Sequence, residues 1–288
     1  MALQPMLFEP TTLQIPRVFG QTKVEKIVAK SILNRGVGML SGHDFSLNPY
    51  GGCQFGCAYC YAAFFQPDLE LAETWGQWVQ VKENALGLLR RQPDLPGAHI
   101  YLGSATDPYQ PIEAKAEITR SLLLYMAGLA IQPKIVVQTR SPLVTRDIEI
   151  LKRFSSLRVN MSITTDDEEI RKIYEPSCAS IRRRIQAVEE LKAAGIKTCI
   201  CVSPMLPISD PLGFAEQLVA TGADKITTSF FHRQKGRSKF ASATRDIALE
   251  LAHRHNWDSS AYLETSALMQ KVLSRAPAHE VFGPEGRA

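Results

Sequence analysis

Three cysteines stand within eight residues of one another in the run Asn48-Pro49-Tyr50-Gly51-Gly52-Cys53-Gln54-Phe55-Gly56-Cys57-Ala58-Tyr59-Cys60-Tyr61. Their spacing is C-x3-C-x2-C. Three thiolates from one short loop suit a cubane [4Fe–4S] cluster, each taking one iron corner and leaving the fourth iron without a protein ligand. An open coordination position marks a metal centre that binds a reactant, by analogy with catalytic zinc. Gly51, Gly52 and Gly56 let the backbone wrap closely around a bulky inorganic core. Other chemistries compete for the same residues. Structural zinc asks for a fourth Cys or His at a paired spacing, and His43, the nearby candidate, fits no familiar pattern. Unliganded thiols are common in cores. A pure electron carrier normally ligates all four irons. The expectation is that Cys53, Cys57 and Cys60 hold a cluster with one open iron. A non-catalytic iron–sulfur electron-transfer protein or a nucleic-acid-binding protein is the alternative.

The elements that position this loop follow from composition and periodicity. The chain has 288 residues, 45% hydrophobic, with 33 Lys+Arg against 29 Asp+Glu and a formal net charge of +4. These values describe a globular protein and exclude disordered, collagenous and disulfide-miniprotein classes. No apolar run approaches the roughly 18 residues that span a bilayer, and the first residues lack the basic and apolar regions of a secretory signal. A cytoplasmic protein without membrane contact is expected, where clustered cysteines read as metal-binding or catalytic.

Short apolar runs alternate with helical periods. Strands are predicted at Phe45-Ser46-Leu47, His99 to Leu102, Lys134 to Thr139, Arg158 to Thr164, Lys197 to Ser203 and Asp224 to Phe231. Between them, Ile118, Leu122, Tyr125, Met126 and Leu129 mark one helix face, and Ile181, Ile185, Val188 and Leu191 another. Ser141-Pro142 and Asp210-Pro211 are helix starts, Asp166-x-x-Glu169 resembles a capping box, and Arg245 to His255 and Ser266 to Leu273 read as helical. Strands alternating with helices imply parallel β with right-handed crossovers. About six βα units fit, short of the eight of a closed barrel. The predicted organisation is an N-terminal extension over 1–43, with a short helix through Val24, Ile27, Val28 and Ile32, a barrel over 44–255 and a C-terminal helical segment over 256–288. The cysteine loop follows the first barrel strand, on the carboxyl rim where such barrels place active sites.

The C-x3-C-x2-C spacing resembles the signature of the radical S-adenosylmethionine (SAM) superfamily. NPYGGCQFGCAYCYA, GSATDPYQPIE at 103–113, QTRSP at 138–142 and the MSITTDD strand end are together similar to the spore photoproduct lyase family, over roughly residues 30–235. The resemblance implies a partial (β/α)6 barrel, a [4Fe–4S] cluster whose open iron chelates SAM, reductive cleavage of SAM, and hydrogen abstraction from a substrate by the 5′-deoxyadenosyl radical. It implies a lyase-like activity and a reductant such as flavodoxin or ferredoxin. The hydrogen-donating cysteine of the lyase proper has no counterpart, because Gly103-Ser104 stand at that place.

Further positions acquire roles by the same resemblance. Tyr59 is expected beside the adenine of SAM, offering a large apolar face. Ser104 and Thr106 replace the superfamily motif that accepts hydrogen bonds from the SAM amino group. Arg140 is expected to pair with the SAM carboxylate, and Ser162, alternating with Met161 and Ile163, to reach SAM from the barrel interior. Asp107-Pro108 reads as a turn, Glu113 as a first-turn helix acid, and Glu175 as holding either a substrate or a loop. Cys178, Cys199 and Cys201 read as buried thiols, with a second cluster or a radical relay as rivals. Arg182-Arg183-Arg184 and Arg233, Lys235, Arg237 and Lys239 could track phosphates of a nucleic-acid substrate, against the commoner reading of solvated faces. His253 and His255 face different directions on a helix and are not read as ligands.

Overall fold

Period-two runs of β-branched and aliphatic residues, each followed by a helix, build the central sheet. A computed structural model describes residues 15–230, 244–275 and 277–282 of the chain. Its strands are β1 (Val18–Phe19), β2 (Thr22–Ile27), β3 (Leu33–Arg35), β4 (Phe45–Leu47), β5 (Tyr50–Gly52), β6 (Trp78–Lys82), β7 (His99–Leu102), β8 (Lys134–Thr139), β9 (Leu157–Ser162), β10 (Lys197–Val202), β11 (Lys225–Ser229) and β12 (His279–Phe282). The main sheet runs β12-β11-β10-β9-β8-β7-β4-β3, with β3 alone antiparallel to its neighbour. The six expected strands are β4 and β7 to β11, each within two residues of its predicted ends. The architecture is an open α/β barrel of six βα units with one more parallel strand, β12, at its edge.

Two expectations at the termini are corrected. The predicted helix through Val24 and Ile27 is strand β2, because Thr22 and Val24 are buried while Lys23 and Glu25 are exposed, a period of two. It pairs with β6 in a second sheet, β1-β2-β6-β5. The C-terminal segment is not wholly helical: after the helix Ser259–Leu273 the chain adds β12 beside β11. The helix predicted from Asp166 is capped instead by Asp167, whose carboxylate accepts from the Glu169 and Ile170 amides. Asp166 accepts from the Ser209 and Asp210 amides. No helix among the described residues is long and apolar enough to cross a membrane.

The two faces of the parallel strands differ. One carries Ile100, Leu102, Ile135, Val137, Val159, Met161, Ile200, Val202 and Ile226, all buried under helices such as Ile118–Ala127 and Ile181–Ala193. The other carries Tyr101, Gln138, Asn160, Ser162, Cys199, Cys201 and Thr227, in register from strand to strand. A polar interior wall is costly to bury unless each group finds a partner. It marks the face on which a polar ligand belongs.

The chain crosses between the sheets at Asn48-Pro49, so the cysteine loop leaves from β5. Gly52 makes the turn at φ +70°, and a Cβ there would stand 2.6 Å from the Trp78 ring. Gly195 also has positive φ, +78°, but faces open space. Gly52→Ala and Gly195→Ala should each lose about 1–2 kcal/mol from the left-handed backbone, and Gly52→Ala distinctly more from the clash. Urea midpoints measure this; equal losses would show that the Trp78 contact is not a constraint.

Candidate iron–sulfur site

The three cysteines lie in the loop between β5 and a 3-10 turn at Tyr61–Phe65. Cys53 and Cys57 are buried and Cys60 is partly exposed. Tight turns shape the loop: the Gly56 amide donates to the Cys53 carbonyl and the Cys60 amide to the Cys57 carbonyl, at 3.3 and 3.1 Å. Burial, then Asp107 and the neighbouring thiols, push the Cys53 thiol far above its ordinary range. Burial and Cys57 push Cys60 up to about 11. Three thiolates gathered here destabilise one another, and a cationic iron centre relieves that repulsion while releasing their protons. No three Cys, His, Asp or Glu side chains among the described residues converge as a single ion requires. A cubane takes each protein ligand at a separate corner, and three free thiols on one short loop are the donor chemistry it requires.

The segment GSATDPYQPIE grips this loop residue by residue. The Thr106 hydroxyl donates to the Gly52 carbonyl at 2.5 Å. Gln110 donates to Thr106 Oγ1 and accepts from the Gln54 amide, both at 2.9 Å. Gln54 in turn accepts from the Ile112 amide at 2.6 Å. The Glu113 carboxylate accepts from the Tyr50 hydroxyl, the Thr119 amide and Arg146. Glu113 is therefore more than a first-turn acid: it is fully buried and ties β5 to two helices. Asp107 does more than turn the chain. Its carboxylate accepts from Tyr109 N, Thr139 Oγ1 and Arg140 N, joining the loop after β7 to the end of β8.

Ser104 lies at the carboxyl end of β7, its Oγ accepting from Asn48 Nδ2 at 3.0 Å. Asn48 also accepts from the Ala105 amide at 2.9 Å, so the start of the cysteine segment is pinned to the Ser104 loop. Ser162 accepts at its Oγ from Gln138 Nε2 at 3.0 Å, on the polar wall. Gln138 Oε1 accepts from Tyr101 and Asn160. Gln138 and Gln110 were not singled out from sequence, because glutamine is ordinarily a surface residue.

Arg140, Tyr59 and Glu175 come together on the same rim. Glu175 is fully buried. It accepts from the Tyr59 hydroxyl, from Arg140 at 2.8 Å and from Thr164 at 2.9 Å. Arg184 Nη2 stands 2.6 Å from its other oxygen, an ion pair lacking good hydrogen-bond angles. Burial alone would raise the Glu175 carboxyl, but Arg184 and Arg140 outweigh it and hold it at about 2. Of the choices left by the sequence, Glu175 thus holds a loop. The arginine run divides: Arg182 and Arg183 are exposed while Arg184 turns inward. Arg233, Lys235, Arg237 and Lys239 lie outside the described residues.

Cys178 does not join Cys199 and Cys201. Its sulfur lies 4.0 Å from Cys57 Sγ, and that contact, followed by Arg140, draws the Cys57 thiol down despite burial. Cys199 and Cys201 face each other at 4.0 Å on the polar wall. Arg245 also reaches the site, donating to the Cys57 carbonyl at 3.4 Å. A cavity of about 570 Å³ opens at the opposite, amino ends of the strands, lined by Lys134, Arg158 and Lys197 beside the helix ends at Leu151 and Ala194. Lys134 and Lys197 can offset helix C-terminal dipoles there, while Arg158 turns to Asn160 of the polar wall at 2.9 Å.

Glu175→Gln should cost about 3–5 kcal/mol, since it leaves two buried guanidiniums without a counter-charge. The folded carboxyl sits near 2 against an ordinary 4.5, so its stabilisation is present above about pH 4.5 and is lost as pH falls toward 2. Denaturant titrations from pH 2 to 6 should show this acid limb in the parent and a flatter one in the variant. Parallel limbs would refute the assignment.

Residues 47–216 match the family model described as the radical SAM superfamily. An uncharacterised protein of Methanocaldococcus jannaschii is 36% identical over 188 residues, covering 65% of this chain and 70% of that relative. A radical SAM Nalpha-GlyT isomerase of Pseudomonas phage M6 is 27% identical over 187 residues, covering 63% of this chain and 38% of the isomerase. Among solved structures, a spore photoproduct lyase variant with dinucleoside spore photoproduct matches with a TM-score of 0.62 at 12% identity, over 89% of this chain and 81% of the lyase, a likeness of fold. The matched span contains the three-cysteine loop, its clasp and the polar wall from Tyr101 to Cys201, and on these grounds the chain belongs to the radical SAM superfamily.

Proposed function

We propose that the chain is an enzyme that cleaves SAM reductively and takes a hydrogen atom from a substrate bound against the polar wall. The observation that carries this reading is the three-thiol loop at the carboxyl rim of the sheet, beside interior residues that are polar. Cys53, Cys57 and Cys60 would hold the cluster. The bound cluster and SAM supply the electron and the 5′-deoxyadenosyl radical, while the protein positions them and excludes side reactions.

This chain's residues divide the remaining work. Thr106 is committed at both ends of its hydroxyl, to Gly52 and Gln110, and serves to hold the loop. Ser104 Oγ accepts one bond from Asn48 and keeps its proton and a lone pair for the SAM amino acid. Tyr59 offers its ring to the adenine, and its hydroxyl bond to Glu175 fixes the ring's orientation. Arg140, stacked 5.5 Å from the Tyr59 ring centre, supplies positive charge for a carboxylate. Ser162 and Gln138 present hydroxyl and amide groups from the wall. An external reductant, such as flavodoxin or ferredoxin, would deliver the electron.

Anaerobic reconstitution should load about four iron and four sulfide per chain, and dithionite with SAM should then yield 5′-deoxyadenosine. Alanine at any one of Cys53, Cys57 or Cys60 should abolish both. Tight zinc binding with no iron, or a loaded chain that leaves SAM intact, would sink the reading.

The substrate class we favour is an unpaired base in nucleic acid. Tyr61 and Phe65, 41% and 47% exposed, form an edge-to-face pair 5.5 Å apart beside Cys60. Exposed rings flanking a reactive centre are stacking platforms for bases. The structurally similar lyase, whose structure holds a dinucleoside photoproduct, supports the same class. If three phosphates are neutralised, single-strand binding should fall roughly twentyfold between about 50 and 200 mM salt. Tyr61→Ala with Phe65→Ala should weaken it at every salt concentration. Salt-independent or absent retention of a mixed oligonucleotide would move the substrate to a peptide or small molecule.

A further inference from the structure

Cys178 is a buried thiol on this rim that the proposed chemistry leaves unused. It lies in the turn between the helices Glu168–Tyr174 and Ile181–Ala193 and is 7% exposed. Its sulfur stands 4.0 Å from that of Cys57, across 121 residues of sequence. The contact is built rather than incidental. The Cys178 amide donates to the Glu175 carbonyl at 3.1 Å, and its carbonyl accepts from Arg171 at the same distance. One turn back, the Tyr174 carbonyl accepts from the Ala58 amide at 2.8 Å. The Tyr59 hydroxyl bonds to Glu175. The turn and the cysteine loop are therefore joined by two further bonds next to the sulfur pair.

The distance decides what Cys178 can do. Thiolates bound to different irons of a cubane radiate from separate corners and stand well apart. A sulfur in contact with Cys57 Sγ is badly placed for another iron. It is placed for an S–H···S hydrogen bond. The direction of that bond follows from metal binding: Cys57 must give up its proton to ligate iron, so the unligated Cys178 is the donor. Hydrogen bonds to ligand sulfurs are among the factors that set cluster potentials. Such a bond stabilises the more negative, reduced cluster more than the oxidised one, and so raises the reduction potential.

We infer that Cys178 is a positioning residue that donates a hydrogen bond to the Cys57 thiolate and raises the cluster's reduction potential. The inference rests on the cluster-binding part of the proposed function. It accounts for a buried thiol without making it a fourth ligand, and so keeps one iron open.

The test is a redox titration of the full-length, reconstituted protein, following the electron paramagnetic resonance signal of the reduced cluster without SAM. Cys178→Ala should keep its iron and shift the reduced-to-oxidised ratio at fixed potential about tenfold toward the oxidised form, about 59 mV for one electron. Cys178→Ser retains a donor and should recover at least half of that shift. Unchanged potentials in both variants would overturn the inference. So would equal shifts, which would mean lost packing rather than a lost hydrogen bond. Loss of iron from either variant would make Cys178 a ligand or a scaffold residue and would overturn it too. Because no SAM is present, a confirmed shift stands even if the chain fails to cleave SAM. Failure of the parent to bind iron removes the proposed function itself.

Discussion

A single buried carboxylate, Glu175, organises this rim. It draws two guanidiniums, Arg140 from the end of β8 and Arg184 from the helix Ile181–Ala193, onto one side chain, and adds Tyr59 from the cysteine loop. Burying three charges is costly unless each is paired, and breaking such a cluster costs more than forming it returns. Two cations against one carboxylate leave a positive surplus. Burial works against the Arg140 guanidinium, but Cys57, Tyr59 and Glu175 outweigh it and hold that group well above its ordinary range. The same surplus favours a thiolate at Cys57. Charge balance at the rim is therefore shared between a fixed carboxylate and a loop whose thiols would become anionic on binding a cluster.

The second constraint is mechanical. A loop that would ligate a cluster through three of its eight residues has little regular backbone pairing of its own, so its polar groups must be satisfied from elsewhere. The segment 103–113 supplies that need through Thr106, Gln110, Ile112 and Glu113. This explains why a run that reads as a ligand-binding motif is mostly internal support. Its hydroxyls and amides are spent on the cysteine loop, and Ser104, at the strand end, is the member left facing the rim.

Much of the fold was legible because the main-sheet strands obey local rules. Alternation at Lys134 to Thr139 or Lys197 to Val202 is a property of adjacent residues, and the spacing of Cys53, Cys57 and Cys60 lies in one loop. What escaped depends on distant partners. Val24 and Ile27 match a helical period by chance, and only the pairing of β2 with β6 settles them as a strand. Strand β12 needs β11 beside it. Arg184 sits in a run that reads as a solvated basic face, and only Glu175 in the interior explains its inward turn. Cys178 carries no local signal at all; its meaning is a contact with a residue 121 positions away.

The claim at the centre is that one iron of a three-thiolate cluster is open to SAM. Electron paramagnetic resonance of the anaerobically reduced, reconstituted protein, recorded before and after adding SAM, tests it most directly. An open iron predicts a clear change in the g-values on addition. A signal identical with and without SAM would contradict it and leave an iron–sulfur electron carrier in its place.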